Sequence, residues 1–142
     1  MATSKIRAII EAIEARMAAL SFKATNSVFD FDGVPDSVID KAFRIENHIL
    51  ENRYGMDNLA NPREEILIWI AYKTKRDARA AYKIALDDRQ AIEDGIVNDA
   101  AIMALDSCPL LALNSDDSAQ KYLDDYLISK LAFTADYIRR LA

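Results

Sequence analysis

Two carboxylates two residues apart, Asp30 and Asp32, stand in the run Phe29-Asp30-Phe31-Asp32-Gly33-Val34-Pro35. A pair of that spacing followed by glycine suits a nucleophile beside an acid/base, with both groups turned toward a divalent cation. Ser107-Cys108-Pro109 offers a second nucleophile. The chain has one histidine, His48, and nothing in the sequence places it beside Cys108. A cysteine in an apolar segment reads as an inert buried thiol, and His48 as a surface or half-buried side chain. Trp69 reads as core rather than as a platform for a base. Arg139-Arg140 is too small a basic patch for nucleic-acid binding.

The acidic run resembles the first motif of the haloacid-dehalogenase phosphotransferases. In that family the first Asp is the nucleophile, the second is the acid/base, and both help to hold Mg²⁺. The resemblance covers about seven residues. The family sets its motif at the end of an apolar strand, whereas Ala24-Thr25-Asn26-Ser27 precede Val28 here. It also needs a lysine and an acidic pair after later parallel strands, and Asp116-Asp117 stands in a polar stretch. The bottom-up reading is a turn whose aspartates bond nearby backbone. No catalytic residue, metal ligand or cofactor is expected.

Composition narrows the remaining classes. The chain has 142 residues, one Cys, three Gly and three Pro. This length suits one domain, 1–142, able to bury a core without disulfide or metal. One cysteine excludes an internal bridge and the Cys-paired zinc patterns. Gly33, Gly55 and Gly95 are isolated, so a phosphate-cradling loop is excluded. No apolar run approaches a membrane span. The N-terminal segment carries Lys5, Arg7, Glu11, Glu14 and Arg16, unlike a signal peptide's apolar core, so an intracellular product is expected.

The net charge of −5 is localised. Residues 1–86 carry 13 basic and 12 acidic side chains, whereas residues 87–126 carry ten acids against Arg89 and Lys121. Such a segment disfavours binding to phosphates. It reads either as a solvated helix face plus a loop, or as a surface that repels an anion or meets a basic partner.

The elements follow from periodicity. Ile6, Ile9, Ile10, Ile13, Met17 and Leu20 recur at helical spacing and predict a helix over 4–20, capped by Thr3 or Ser4. Segment 41–51 fits a strand or a helix. Gly55, Asp57-Asn58 and Asn61-Pro62 mark a loop over 53–62. In 65–73, Ile66, Ile68, Ile70 and Tyr72 share one strand face, and Leu67, Trp69 and Ala71 the other. A strand apolar on both faces is covered on both sides, and in a small domain the second cover can be a neighbouring subunit. A second helix is predicted over 77–98, with Asp77 as cap and its end at Gly95 and Asn98-Asp99. Pro109 confines any strand in 100–113 to a sheet edge. Residues 114–125 read as an acidic loop and 126–138 as a strand. The class is α+β: a small, mostly antiparallel sheet with two long helices packed on one face.

As a whole the chain resembles the tail terminator (tail completion) proteins of long-tailed bacteriophages. The resemblance rests on the N-terminal amphipathic helix, the run from Phe29 to Ile45, and the later order of strand, helix, acidic loop and strand. It implies that 42–50 is a strand paired through the loop 51–65 with 66–72. It implies a hexameric ring that caps the tail tube, ends its growth and joins it to the head-side connector. DNA would pass through without specific binding and no membrane would be involved. The place would be the virion's head–tail junction, with assembly in the host cytoplasm. A stopper or adaptor of the same neck is the alternative, ahead of a small Mg-dependent phosphatase using Asp30 and Asp32. On this resemblance Phe43, Ile45, Ile49, Ile66, Ile68, Trp69 and Ile70 are expected at the subunit interface. Asp116, Asp117, Asp124 and Asp125 are expected to line or rim the channel, where a negative wall keeps DNA mobile.

Overall fold

The structure, a computed structural model, describes residues 3–25, 40–74, 77–123 and 125–141. The run from Phe29 to Pro35, with Asp30 and Asp32, lies outside the described residues, as does Asp124.

The first helix, α1 (Lys5–Ala19), starts where Ser4 Oγ accepts the Arg7 N–H at 3.3 Å. Ile9, Ile13 and Met17, four residues apart, form its buried stripe. The long helix α2 (Ala78–Val97) is capped by Asp77, whose Oδ1 accepts the N–H groups of Arg79 and Ala80 at 3.1 Å each. Gly95 lies inside α2 rather than at its end. A Cβ there would stand 3.0 Å from Arg16 Nε and 3.5 Å from Leu20 Cδ1, so glycine lets the end of α1 approach closely. A short α3 (Ala100–Met103) follows.

Between and after the helices run β1 (Lys23–Ala24), β2 (Ala42–Tyr54), β3 (Leu59–Lys73), β4 (Leu110–Leu113), β5 (Ala119–Leu123), β6 (Tyr126–Asp136) and β7 (Arg139–Arg140). They form one mixed sheet in the order β1-β2-β3-β6-β4. Only β1 pairs in parallel, with the first residues of β2; the other pairings are antiparallel. Strands β4 and β5 lie end to end on the same side of β6 and together make one edge.

One face holds the core. Phe43 of β2, Ile66, Ile68, Ile70 and Tyr72 of β3, and Leu127, Leu131, Phe133 and Ala135 of β6 join the buried stripes of α1 and α2 in a single cluster. Cross-strand pairs such as Ile66 with Phe133 and Ile68 with Leu131 bring branched and aromatic side chains together there.

Proline explains a break in the sheet. Strands β6 and β7 pair with β3 in one register, interrupted at Tyr137 and Ile138. Tyr137 N–H donates to the Pro62 carbonyl at 3.2 Å, but Pro62 has no N–H to return. The ladder opens at this position, while on the other side of the strand the Ile138 N–H bonds to the Ser107 carbonyl at 2.8 Å.

Three further expectations are corrected. The hairpin between β2 and β3 is much longer than a loop over 51–65 allows, with only residues 55–58 left to turn it. Asp57 and Asn58 supply the positive φ of that turn, at 62° and 59°. Leu50 is an extra residue where the register shifts between Ile49 and Glu51. The acidic stretch after Leu113 contains β5, so it is half strand. Cys108 is exposed rather than buried, because it sits in a turn at φ 50° ahead of Pro109.

Candidate functional site

The sequence-predicted interface residues separate into two groups. Phe43, Ile66, Ile68 and Ile70 are buried in the chain's own core under α1 and α2, and Ile45 is partly buried beside them. Phe43, Ile66, Ile68 and Ile70 are taken up by the helix layer, so they are not at a surface that another subunit could meet, whereas Ile45 lies at the margin of this core and stays partly exposed. Ile49 stays 60% exposed, beyond the reach of the helices, and Trp69 is partly buried on the opposite face.

That opposite face is less apolar than β3 alone suggests. Arg44 and Lys130 flank Trp69 in register, and Glu46 stands beside Leu67. The Lys130 ammonium lies 5.6 Å from the centre of the Trp69 ring, a cation–π contact. Arg44 is ion-paired with Glu46. Strand β3 presents Leu67, Trp69 and Ala71 there, while its neighbours bring charge. A pattern read along one strand cannot reveal what the flanking strands place beside it.

Next along this face, His48, Glu65 and Thr134 pair in register. Glu65 is buried and lies 3.4 Å from His48 Nε2. Its pKa is raised, first by burial and then by a hydrogen bond with Asp117; His48 and Lys130 act in the other direction. Asp117 comes from the loop between β4 and β5. Asn114 Nδ2 donates to it at 2.8 Å. Ser118 Oγ ties the same loop to β6, accepting from the Ala132 N–H and donating to the Asn114 carbonyl. The hydrogen bond between Glu65 and Asp117 holds the loop against β3. Among the described residues no group of three or more His, Cys, Asp or Glu side chains is arranged to hold a metal ion.

The predicted acidic residues do not form one cluster. Asp116 and Asp117 precede β5, whereas Asp125 follows it, and all three are exposed. Five strand residues separate the two ends, about 17 Å at the usual rise.

The signal that sequence reading missed lies at the two sides of the sheet. At the far end of the β2–β3 hairpin, Ile49, Leu50, Tyr54 and Met56 are exposed, Met56 to 88%. On the opposite edge, Leu110 of β4 is 69% exposed and Tyr122 of β5 52%. Leu110 and Tyr122 stand at opposite ends of that edge, pairing with Asp136 and Leu127 of β6. A finer periodicity reading of 45–56 could have found the first patch, because Ile49 and Leu50 lie past the last residues a helix covers.

Beneath the hairpin end, the buried carboxylate of Glu64 is satisfied on both oxygens. Tyr137 Oη donates to one and Asn47 Nδ2 to the other, the second at 2.9 Å. Burial, then the Glu64 contact, pushes the Tyr137 pKa up, so the phenol keeps its proton and remains the donor. This network fixes the base from which the hairpin extends.

Among the described residues no helix is long and apolar enough to cross a membrane. No protein-family model matches this chain, and no curated protein is similar to it.

Proposed function

We propose that this chain is a structural protein of the neck of a long-tailed phage, a tail terminator. In this reading six copies close into a ring on the last ring of the tail tube, stop its growth and present the other side to the head-side connector. The protein acts by shape and contact and carries out no chemistry.

The observation that carries the reading is that the two sides of one sheet differ, with Ile49, Leu50, Tyr54 and Met56 exposed along β2 and its hairpin on one side, and Leu110 and Tyr122 exposed at the two ends of the β4–β5 edge on the other. A ring needs a heterologous contact, in which one patch of each subunit meets a different patch of the next. A two-fold dimer would use one patch twice. The layout of the chain, with its N-terminal helix, paired strands, long helix and final strand, supports the same reading.

In this reading the exposed carboxylates of Asp116 and Asp117 line or rim the channel, where negative charge would repel passing DNA rather than hold it. A bore lined mainly by Lys and Arg contradicts that part of the proposal.

The test is assembly. Purified protein added to polymerising tail-tube subunits is expected to shorten the tubes and to appear as a cap at one end by negative-stain imaging. Unchanged tube length with no cap overturns the terminator reading. A protein that instead binds the portal side of a filled head, and ignores tubes, belongs to the stopper or adaptor class.

A further inference from the structure

We propose that neighbouring copies join by continuing the sheet, the outer edge of β2 in one copy pairing antiparallel with β5 of the next. This rests on the ring reading above and specifies the contact that closes it.

Among the described residues, no strand pairs with β2 beyond Phe43 on its outer side or with the outer side of β5. Among the described residues β1 covers β2 only at Ala42 and Phe43, with the Thr25 N–H bonded to the Phe43 carbonyl. Alternation from Phe43 turns the N–H and C=O groups of Ile45, Asn47 and Ile49 outward, away from β3. On the other side, the Asn114 N–H bonds to the Ala132 carbonyl, so the even residues of β6 face β4 and β5. Lys130 pairs with Ala119 and Ile128 with Lys121, which leaves Gln120 and Tyr122 turned outward. Each edge is a row of donors and acceptors to which another strand can pair.

Direction and pleat agree. Across β2, β3, β6 and β5 successive strands alternate in direction, so β2 and β5 run opposite ways. The number of strands is even. A copy placed beside another in the same orientation therefore meets it antiparallel, and the outward residues of both edges carry their side chains on the helix-covered face. Three strands in this arrangement would meet in parallel instead.

Side chains select the register. Placing Tyr122 opposite Ile45 sets Lys121 opposite Glu46 and Gln120 opposite Asn47. This matches an aromatic with an aliphatic group, a cation with an anion, and two amides. Shifting by two residues toward the hairpin end sets Lys121 against His48 and loses the charge pair. The occupant of the β2 edge is therefore a second copy of this chain.

The test is a cysteine pair in the full-length protein with Cys108→Ser. Glu46 and Lys121 would form a pair without direct backbone bonds, with Cα atoms about 4.5 Å apart, inside the range a disulfide spans. Glu46→Cys with Lys121→Cys is expected to give a ladder of covalent multimers on oxidation. Glu46→Cys with Ala119→Cys, displaced along the strand, is expected to link at least tenfold less. Hydrogen exchange on the unmodified protein gives an independent reading: the amides of Ile45, Asn47 and Ile49 are expected to be slowed in the assembled form. An oligomer with neither ladder nor protection overturns the edge pairing and leaves the ring reading standing. A protein that stays monomeric, with those amides in fast exchange at every concentration, overturns both.

Discussion

Glu65 is a carboxyl held away from water beside a second carboxyl, Asp117, and the physical consequence is a pH dependence. Its pKa in the folded chain lies above the ordinary glutamate value. The folded state therefore binds this proton more tightly than the unfolded state does. The stability it contributes is complete below the ordinary glutamate range and is lost as pH rises through the raised folded value. Glu65→Gln keeps a donor toward Asp117 without the charge. The variant is expected to gain stability over the native chain as pH rises above 4.5 and to lose that advantage below it. Thermal unfolding at a series of pH values reads this directly, and curves that stay parallel contradict it. A core residue behaves differently. Ile68 is fully buried, and Ile68→Ala is expected to cost about 2–5 kcal/mol by chemical denaturation at every pH.

At the scale of elements, strong local signals were legible. Ser4 and Asp77 cap the helices as their types predict, and the alternation in 65–73 and 126–138 marks the two central strands. Weaker signals misled for identifiable reasons. Ala119–Leu123 is a short edge strand set between the acidic pairs at 116–117 and 124–125, so it carries no clear strand alternation. Asn61-Pro62 looks like a turn, yet the chain continues as strand because Pro62 points its missing donor at the gap between β6 and β7. That argument predicts that Pro62→Ala supplies a new N–H facing the Tyr137 carbonyl. Hydrogen exchange is expected to show that amide protected, and an amide in fast exchange contradicts the account. Asp77→Ala removes two accepted bonds at the start of α2 and is expected to cost roughly 0.5–2 kcal/mol in denaturant unfolding.

At the scale of the molecule, the sequence indicated that β3 needed cover on both faces, and the fold relocated that need. The helices cover one face, charged neighbours flank the other, and exposed apolar groups stand at both sides of the sheet as well as on the helices at Tyr82, Ile84 and Met103. The candidate interface was thus only partly legible: Ile49 was identified, but Leu50, Tyr54, Met56, Leu110 and Tyr122 emerge only when strand length and sheet order are known. The localised acidity is likewise split by the fold, with Asp116 and Asp117 at one end of β5 and Asp125 at the other. The central claim is that unlike edges of successive copies meet and close. Light scattering coupled to size exclusion tests it most directly. The account predicts a species of six times the 15.9 kDa protomer mass, which Tyr122→Asp reduces to monomer without unfolding. A native chain that elutes only as a monomer at high concentration, or only as a two-fold dimer, would contradict it.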